Sequence, residues 1–367
     1  MSLAGGALDD PAALAGYDQA GMFGHIAAMP AQILDGWQRT RSLTLPDSFR
    51  SLSSVALLGM GGSAIGGDLV RGIYSDRLTV PLAVIRDYEL PAWVGPQTLV
   101  IASSYSGATE ETVSSLSAAL TRRCPVAVIT TGGPIGEVGR KAGLPMLTFP
   151  GGGQPRAAVG YAVMLLAGLL ERAGMLALDE AEVRGAHAAG QVTVTRCGPD
   201  IPTDENPAKQ LAWALVDRLP VIEASGFLSV VARRWKTQLN ENAKSTAVFE
   251  ELPEATHNAV VGYPHPESIR DHLYVLFLAS PLEHPRNRLR AALSAELLDT
   301  ARISHQVVPV AGETRLAQAI AAIALGDLVS AYLAVLYGID PTPVEAIGRI
   351  KARLSGAPHD AAGQDAP

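Results

Sequence analysis

The sequence predicts an α/β protein of two tandem doubly wound parallel-sheet units, each a three-layer αβα sandwich, with helical extensions at both ends. Three observations carry this. Short apolar β-type runs alternate with helix-like segments at the spacing of strand–helix–strand crossovers. The pattern occurs twice, on either side of a break at Gly151-Gly152-Gly153-Gln154-Pro155. The 367 residues, 48% hydrophobic and 18% charged, suffice for two ordinary cores and are too apolar for a disordered chain.

Residues 1–45 read as an N-terminal helical extension, helical over 10–40, that wraps the body. The first unit is expected over 46–153, with strands at Val55–Leu58, Leu82–Ile85, Leu99–Ala102, Val126–Ile129 and Met146–Phe149, and helices such as Ile65–Tyr74 and Glu110–Arg122. Residues 154–200 hold connecting helices: a long apolar one, Ala157 to Arg172, and a polar one around Glu180–Thr195. The second unit is expected over 201–340, starting near Asn206, with strands at Pro220–Ala224, Leu273–Leu278 and Gln306–Val310. Residues 341–355 carry a C-terminal helix, Val344 to Leu354. The Ala/Gly/Asp/Pro-rich residues 356–367 read as a disordered tail.

Charge and composition exclude several classes. A net charge of -7 opposes general nucleic-acid binding, which needs a basic face. The N-terminus has no basic stretch ahead of an apolar run, so no secretory signal is expected. The apolar stretch Ala319–Ile339 contains Asp327, whose charge would cost about 3 kcal/mol in a bilayer. A buried helix is the better reading, with no membrane partner. Cys124 and Cys197 are far apart and lack metal-ligand spacing, which suits a reduced, cytoplasmic protein. No two of the eight histidines lie three to five residues apart, so no metal site is expected.

Two Gly/Ser-rich loops point to a ligand. Gly59-Met60-Gly61-Gly62-Ser63 and Ser103-Ser104-Tyr105-Ser106-Gly107-Ala108-Thr109 each follow a β-type run and open a helix. Unpaired N–H groups and the positive dipole end of a helix start attract an anion. Ser104, Ser106 and Thr109, with Gly62 and Ser63, match the three oxygens of a phosphomonoester better than a lone helix cap does. A competing reading stays open. Gly59-x-Gly61-x-x-Ala64 also fits a dinucleotide-binding turn, although Asp87 follows Gly59 by 28 residues where about 20 is usual. The second unit has fainter echoes at Ser225-Gly226-Phe227 and Ala279-Ser280-Pro281.

The run Arg234-Trp235-Lys236-Thr237-Gln238-Leu239-Asn240-Glu241-Asn242-Ala243-Lys244, followed by Glu251-Leu252-Pro253-Glu254-Ala255-Thr256-His257-Asn258, resembles the bifunctional phosphoglucose/phosphomannose isomerases of the sugar-isomerase (SIS) domain superfamily. Both loops, Gln154-Pro155-Arg156-Ala157, Asn206-Pro207-Ala208-Lys209, Asp340-Pro341-Thr342-Pro343 and Lys351 join the resemblance, which covers nearly the whole chain. It implies two SIS-type units and reversible aldose–ketose isomerisation of hexose 6-phosphates through a cis-enediolate, with no cofactor and no metal. By resemblance, Glu241 is the base, Arg156 stabilises the enediolate, and His257 and Lys351 open the sugar ring. The equivalent histidine in related enzymes comes from the partner subunit, which implies a homodimer. Two positions depart from the family: Ala259 replaces an acidic residue and Ala108 a polar one. Against the isomerase reading stand a non-catalytic sugar-phosphate-binding SIS protein and, through the first loop, an NAD-dependent oxidoreductase.

Overall fold

In the computed structural model the described residues are 5–355, and the expected tail at 356–367 lies outside them. The N-terminal extension comprises helices α1 (Pro11–Tyr17), α2 (Met22–Ala27) and α3 (Met29–Arg41). Asp10 starts α1 by accepting from the backbone N–H groups of Ala12 and Ala13, two of the donors a helix start leaves unpaired.

The first unit runs β1 (Ser54–Leu58), α4 (Gly61–Ile73), β2 (Leu82–Ile85), β3 (Thr98–Ser104), α5 (Glu110–Thr121), β4 (Val126–Thr130), α6 (Gly133–Lys141) and β5 (Met146–Thr148). All pairings are parallel, in the order β2-β1-β3-β4-β5. Leu57 stands in register with Val84 on one side and Ile101 on the other. A 3₁₀ turn, Pro155–Ala158, leads into α7 (Val159–Arg172) and α8 (Glu180–Arg196).

The second unit runs α9 (Pro207–Ala214), β6 (Leu219–Ser225), α10 (Phe227–Glu241), β7 (Val248–Leu252), α11 (Ala259–Gly262), α12 (Glu267–Arg270), β8 (Leu273–Ala279), α13 (Pro285–Thr300), β9 (Ser304–Pro309), α14 (Arg315–Leu336) and α15 (Glu345–Ser355). Its parallel sheet has the order β7-β6-β8-β9. Sequence reading supplies three of these strands and misses β7. That strand is Val-Phe-Glu-Glu-Leu at the sheet edge, with only Leu252 buried. An edge strand needs neither an apolar run nor two covered faces.

Strand alternation explains the layers. Val55, Leu57, Leu99 and Ile101 enter one large core, shared with α3, α7, α10 and α14, that also takes Ile222, Leu276 and Leu278 from the second sheet. Their neighbours Ala56, Leu58, Val100 and Ala102 point the other way, into a core closed by α5 and α6. Val221, Val275 and Phe277 do the same in the second unit, against Leu298 of α13. Each sheet is therefore covered on both faces, as continuous apolar parallel strands require.

The extension braces the centre. Gln32 of α3 donates to the Ala157 carbonyl at 2.9 Å and accepts from the Gly160 N–H at 3.1 Å. Helix α14 is apolar all round and buried over nearly its whole length, Asp327 included. It passes the length and apolarity test for a membrane span, yet 94% of its most apolar window lies inside the protein.

Candidate active site

The two Gly/Ser loops sit together at the C-terminal ends of β1 and β3, adjacent parallel strands. This is the crevice where open α/β sheets bind ligands. Ser63, in the first turn of α4, accepts from the Tyr105 backbone N–H at 3.1 Å and so joins one loop to the other. Ser104 is buried; its hydroxyl lies 2.9 Å from that of Thr109 and accepts from the Gly107 N–H at 3.1 Å. Ser106 is exposed and accepts from the Ala108 N–H at 3.2 Å. None of the three hydroxyls caps α5. They bond within the loop instead, with the Thr109 hydroxyl at the helix start.

Glycine is required at two points. Gly107 has φ +69°, and a Cβ there would fall 1.8 Å from the Gly132 carbonyl oxygen. At Gly62 a Cβ would lie 2.6 Å from the Pro155 carbonyl oxygen and 3.1 Å from the Arg156 nitrogen. The missing side chain lets the phosphate-type loop press directly on the turn that carries Arg156.

Arg156 lies in the 3₁₀ turn ahead of α7 rather than in the α-helix itself. It is 3% exposed. Its Nε donates to Asn242 Oδ1 at 2.7 Å, and one terminal nitrogen donates to the Pro341 and Thr342 carbonyls at 2.9 and 2.7 Å. The other terminal nitrogen reaches the Glu241 carboxylate at 3.5 Å. Burial pulls the guanidinium below the ordinary arginine value, and Glu241 and Asp327 oppose that pull. Glu241 ends α10 and is half-buried, its side chain 30% exposed. A cleft of about 220 Å³ between α4 and α10 is lined by Gly61, Gly62, Arg86, Arg156, Arg233 and Glu241 among others.

The remaining two predicted residues lie elsewhere. His257 ends an exposed 3₁₀ turn, Glu254–His257, and does not line this cleft. Lys351 is exposed on α15. The start of α15 approaches Glu241: Val344, Glu345 and Ile347 share a cavity of about 550 Å³ with it and with Lys244. Lys351 is one turn beyond Ile347 on the same helix face.

Comparison with known proteins gives the family. The bacterial phospho-glucose isomerase C-terminal SIS domain family matches residues 204–354. A bifunctional phosphoglucose/phosphomannose isomerase of Caldicellulosiruptor bescii is 37% identical over 335 residues, covering 91% of this chain and 99% of that protein. One from Aquifex aeolicus is 33% identical over 301 residues, covering 82% of this chain and 90% of that protein. The chain belongs to the bifunctional phosphoglucose/phosphomannose isomerase family. The fold agrees: the crystal structure of a hypothetical protein from Thermus thermophilus matches with a TM-score of 0.73 at 17% identity, covering 92% of this chain and 91% of that one.

In this member of the isomerase family, further residues converge where sequence reading assigns nothing. Buried Asp68 of α4 pairs with Arg86 just beyond β2, with Arg233 of α10 at 3.1 Å and with Arg71 at 3.3 Å, and so ties the two units across the cleft. Arg234 holds Asp327 of α14 at 2.5 Å and the Arg156 carbonyl at 2.9 Å, both inside the protein. Lys244 donates to the carbonyls of Asn242, Asp340 and Pro341. Lys209, which does fall in the family-like segment, is wholly buried and donates to the Leu8, Pro199 and Ile201 carbonyls. It locks the chain start onto the second unit and lies outside the cleft. Lys209, Arg234 and Lys244 fall in the family-like segments, whereas Arg86, in the loop after β2, and Arg233, just ahead of the run on α10, do not.

Proposed function

We propose that the chain interconverts glucose 6-phosphate or mannose 6-phosphate with fructose 6-phosphate. The observation that carries this is the buried Arg156 guanidinium 3.5 Å from the Glu241 carboxylate, in a cleft walled by the phosphate-type loop at Gly62. Glu241 takes the C2 proton of the open-chain aldose and returns it to C1. Both aldoses lose the proton of the same carbon and give the same enediolate, so one base serves both. Arg156, fixed by three acceptors, faces the oxygen on which negative charge develops and needs no reorganisation during the step. Gly62, Ser63, Ser104, Ser106 and Thr109 hold the phosphate, so that C1 and C2 come to rest beside the base.

His257 and Lys351 open the ring. His257 is supplied by the partner in a homodimer; its exposed turn outside the cleft of its own chain supports this. Helix α13, adjoining that turn through the Arg290–Thr256 hydrogen bond, exposes Leu289, Leu293 and Leu297 at successive i, i+4 positions, an apolar stripe suited to a second copy. Residues 46–153 and 201–340 are the two SIS units in this reading. The two free, buried cysteines suit a cytoplasmic setting.

A coupled assay for fructose 6-phosphate formation from each aldose tests the proposal. Turnover is expected, and Glu241→Gln should lower kcat by about 10²–10⁴ with KM little changed. Full activity in that variant removes Glu241 as the base. Tight hexose phosphate binding by the wild type without turnover would favour the non-catalytic reading.

A further inference from the structure

The second unit repeats the layout of the first at its C-terminal sheet edge. In the orders β2-β1-β3 and β7-β6-β8, the unit's first strand lies between its second and third, so β6 corresponds to β1 and β8 to β3. The loops after β6 and β8, at Ser225-Gly226 and Ser280-Pro281, therefore occupy the positions that the phosphate-type loops occupy in the first unit. Gly226 has φ +54° and leads into the 15-residue helix α10.

These two loops are not empty-handed. The Ser225 N–H and hydroxyl both donate to one carboxylate oxygen of Glu283, at 3.2 and 2.5 Å. The Ser280 N–H donates to the other oxygen at 3.1 Å. Ser225 and Ser280 are each 2% exposed. Among the described residues Glu283 makes no ion pair. An anion is thus held by two backbone amides and a hydroxyl from two adjacent strand ends, the donor set that receives a phosphate oxygen elsewhere in such folds. A cavity of about 360 Å³ opens beside it, with Asn287 and Arg288 on its wall.

We propose that the second unit is a closed oxyanion site in which the Glu283 carboxylate holds the place of a phosphate group. The chain would then bind a phosphomonoester at the first unit alone because it supplies its own anion to the second. Truncating Glu283 removes the occupant and leaves three buried donors unpaired, an unfavourable arrangement that an external tetrahedral oxyanion relieves. The inference does not depend on the catalytic reading, since it concerns the other sheet and is read by binding alone.

Equilibrium dialysis with inorganic phosphate tests it. Glu283→Ala should bind one more phosphate per chain than the wild type. Its Tm should rise with phosphate by about 2 °C more than the wild type's at tenfold excess over the dissociation constant. Adding Ser225→Ala to that variant should abolish the gain. If Glu283→Ala does not fold, Glu283→Ser serves instead. Its short polar side chain still vacates the place of the carboxylate, and it should show the same phosphate-dependent rise in Tm. Phosphate binding unchanged from wild type in the folded variants overturns the proposal. So does an extra phosphate that survives Ser225→Ala.

Discussion

Arg156 and Lys244 grip the same stretch of backbone with different chemistries. Both donate to the Pro341 carbonyl, Arg156 also to that of Thr342 and Lys244 to that of Asp340. Between them they fasten the segment before α15 onto the end of α10, where Glu241 sits. Arg156 stays charged at any working pH. Lys244 does not: burial of its ammonium and the neighbouring Arg156 charge lower it to about 8, against opposing Asp340 and Glu241. A neutral amine has two N–H donors for three carbonyls, so one contact is released as pH rises through about 8. Activity should therefore fall above that pH, and Lys244→Arg should move the alkaline limb upward in a pH–rate profile. Stability should run the other way. Between about pH 8 and the ordinary lysine value near 10.5, the unfolded chain keeps a proton that the folded chain has lost. The linkage slope for this group is then positive, and it adds stability as pH rises through that window. An alkaline limb unchanged in Lys244→Arg would show that the latch does not control turnover.

At the scale of elements, the cleft depends on α4 lying hard against the Arg156 turn. Gly62→Ala sets a Cβ 2.6 Å from the Pro155 carbonyl, and backbone on both sides leaves no flexible group to yield. The expected result is a loss of at least tenfold in kcat from a displaced Arg156, with a smaller change in KM. Gly61→Ala, where the added carbon meets nothing within 4 Å but φ is +50°, should cost about 1 kcal/mol of stability and lower kcat less than Gly62→Ala does. Equal kcat in both variants would separate the loop from the arginine. The same contrast shows what was legible in the sequence. Strands β1, β3 and β4 announced themselves as short apolar runs, because parallel strands covered on both faces must be apolar throughout. Glu250 and Glu251 hid β7, whose edge position tolerates charge. The loop hydroxyls were legible because residues close in sequence act together there. Asp68, Arg86 and Arg233 were not, because 165 residues separate Asp68 from Arg233 and only the packing of α4 on α10 joins them. Family resemblance, not periodicity, distinguished Glu241 from other helical glutamates. The structure adds that its carboxylate faces a buried guanidinium.

At the scale of the whole molecule, one chain brings together Glu241, Arg156 and the Gly62 loop, while His257 stands on an exposed turn outside that cleft. If two chains complete each site, lesions on different chains must complement. In a hybrid of Glu241→Gln with His257→Ala, one site carries both lesions. The other takes intact Glu241 from one chain and intact His257 from its partner. Each homodimer has a lesion in both sites. Equal amounts exchanged at random give half hybrids, each with one working site of two. The mixture should recover about a quarter of wild-type activity, provided the assembly is a closed two-fold dimer. Recovery should appear only after subunit exchange, for example dilution from mild denaturant, and should grow with the hybrid fraction separated by charge. If His257 acts within its own chain, every site in the hybrid carries a lesion and no activity returns. An active species that sediments as a monomer would overturn the shared site equally well.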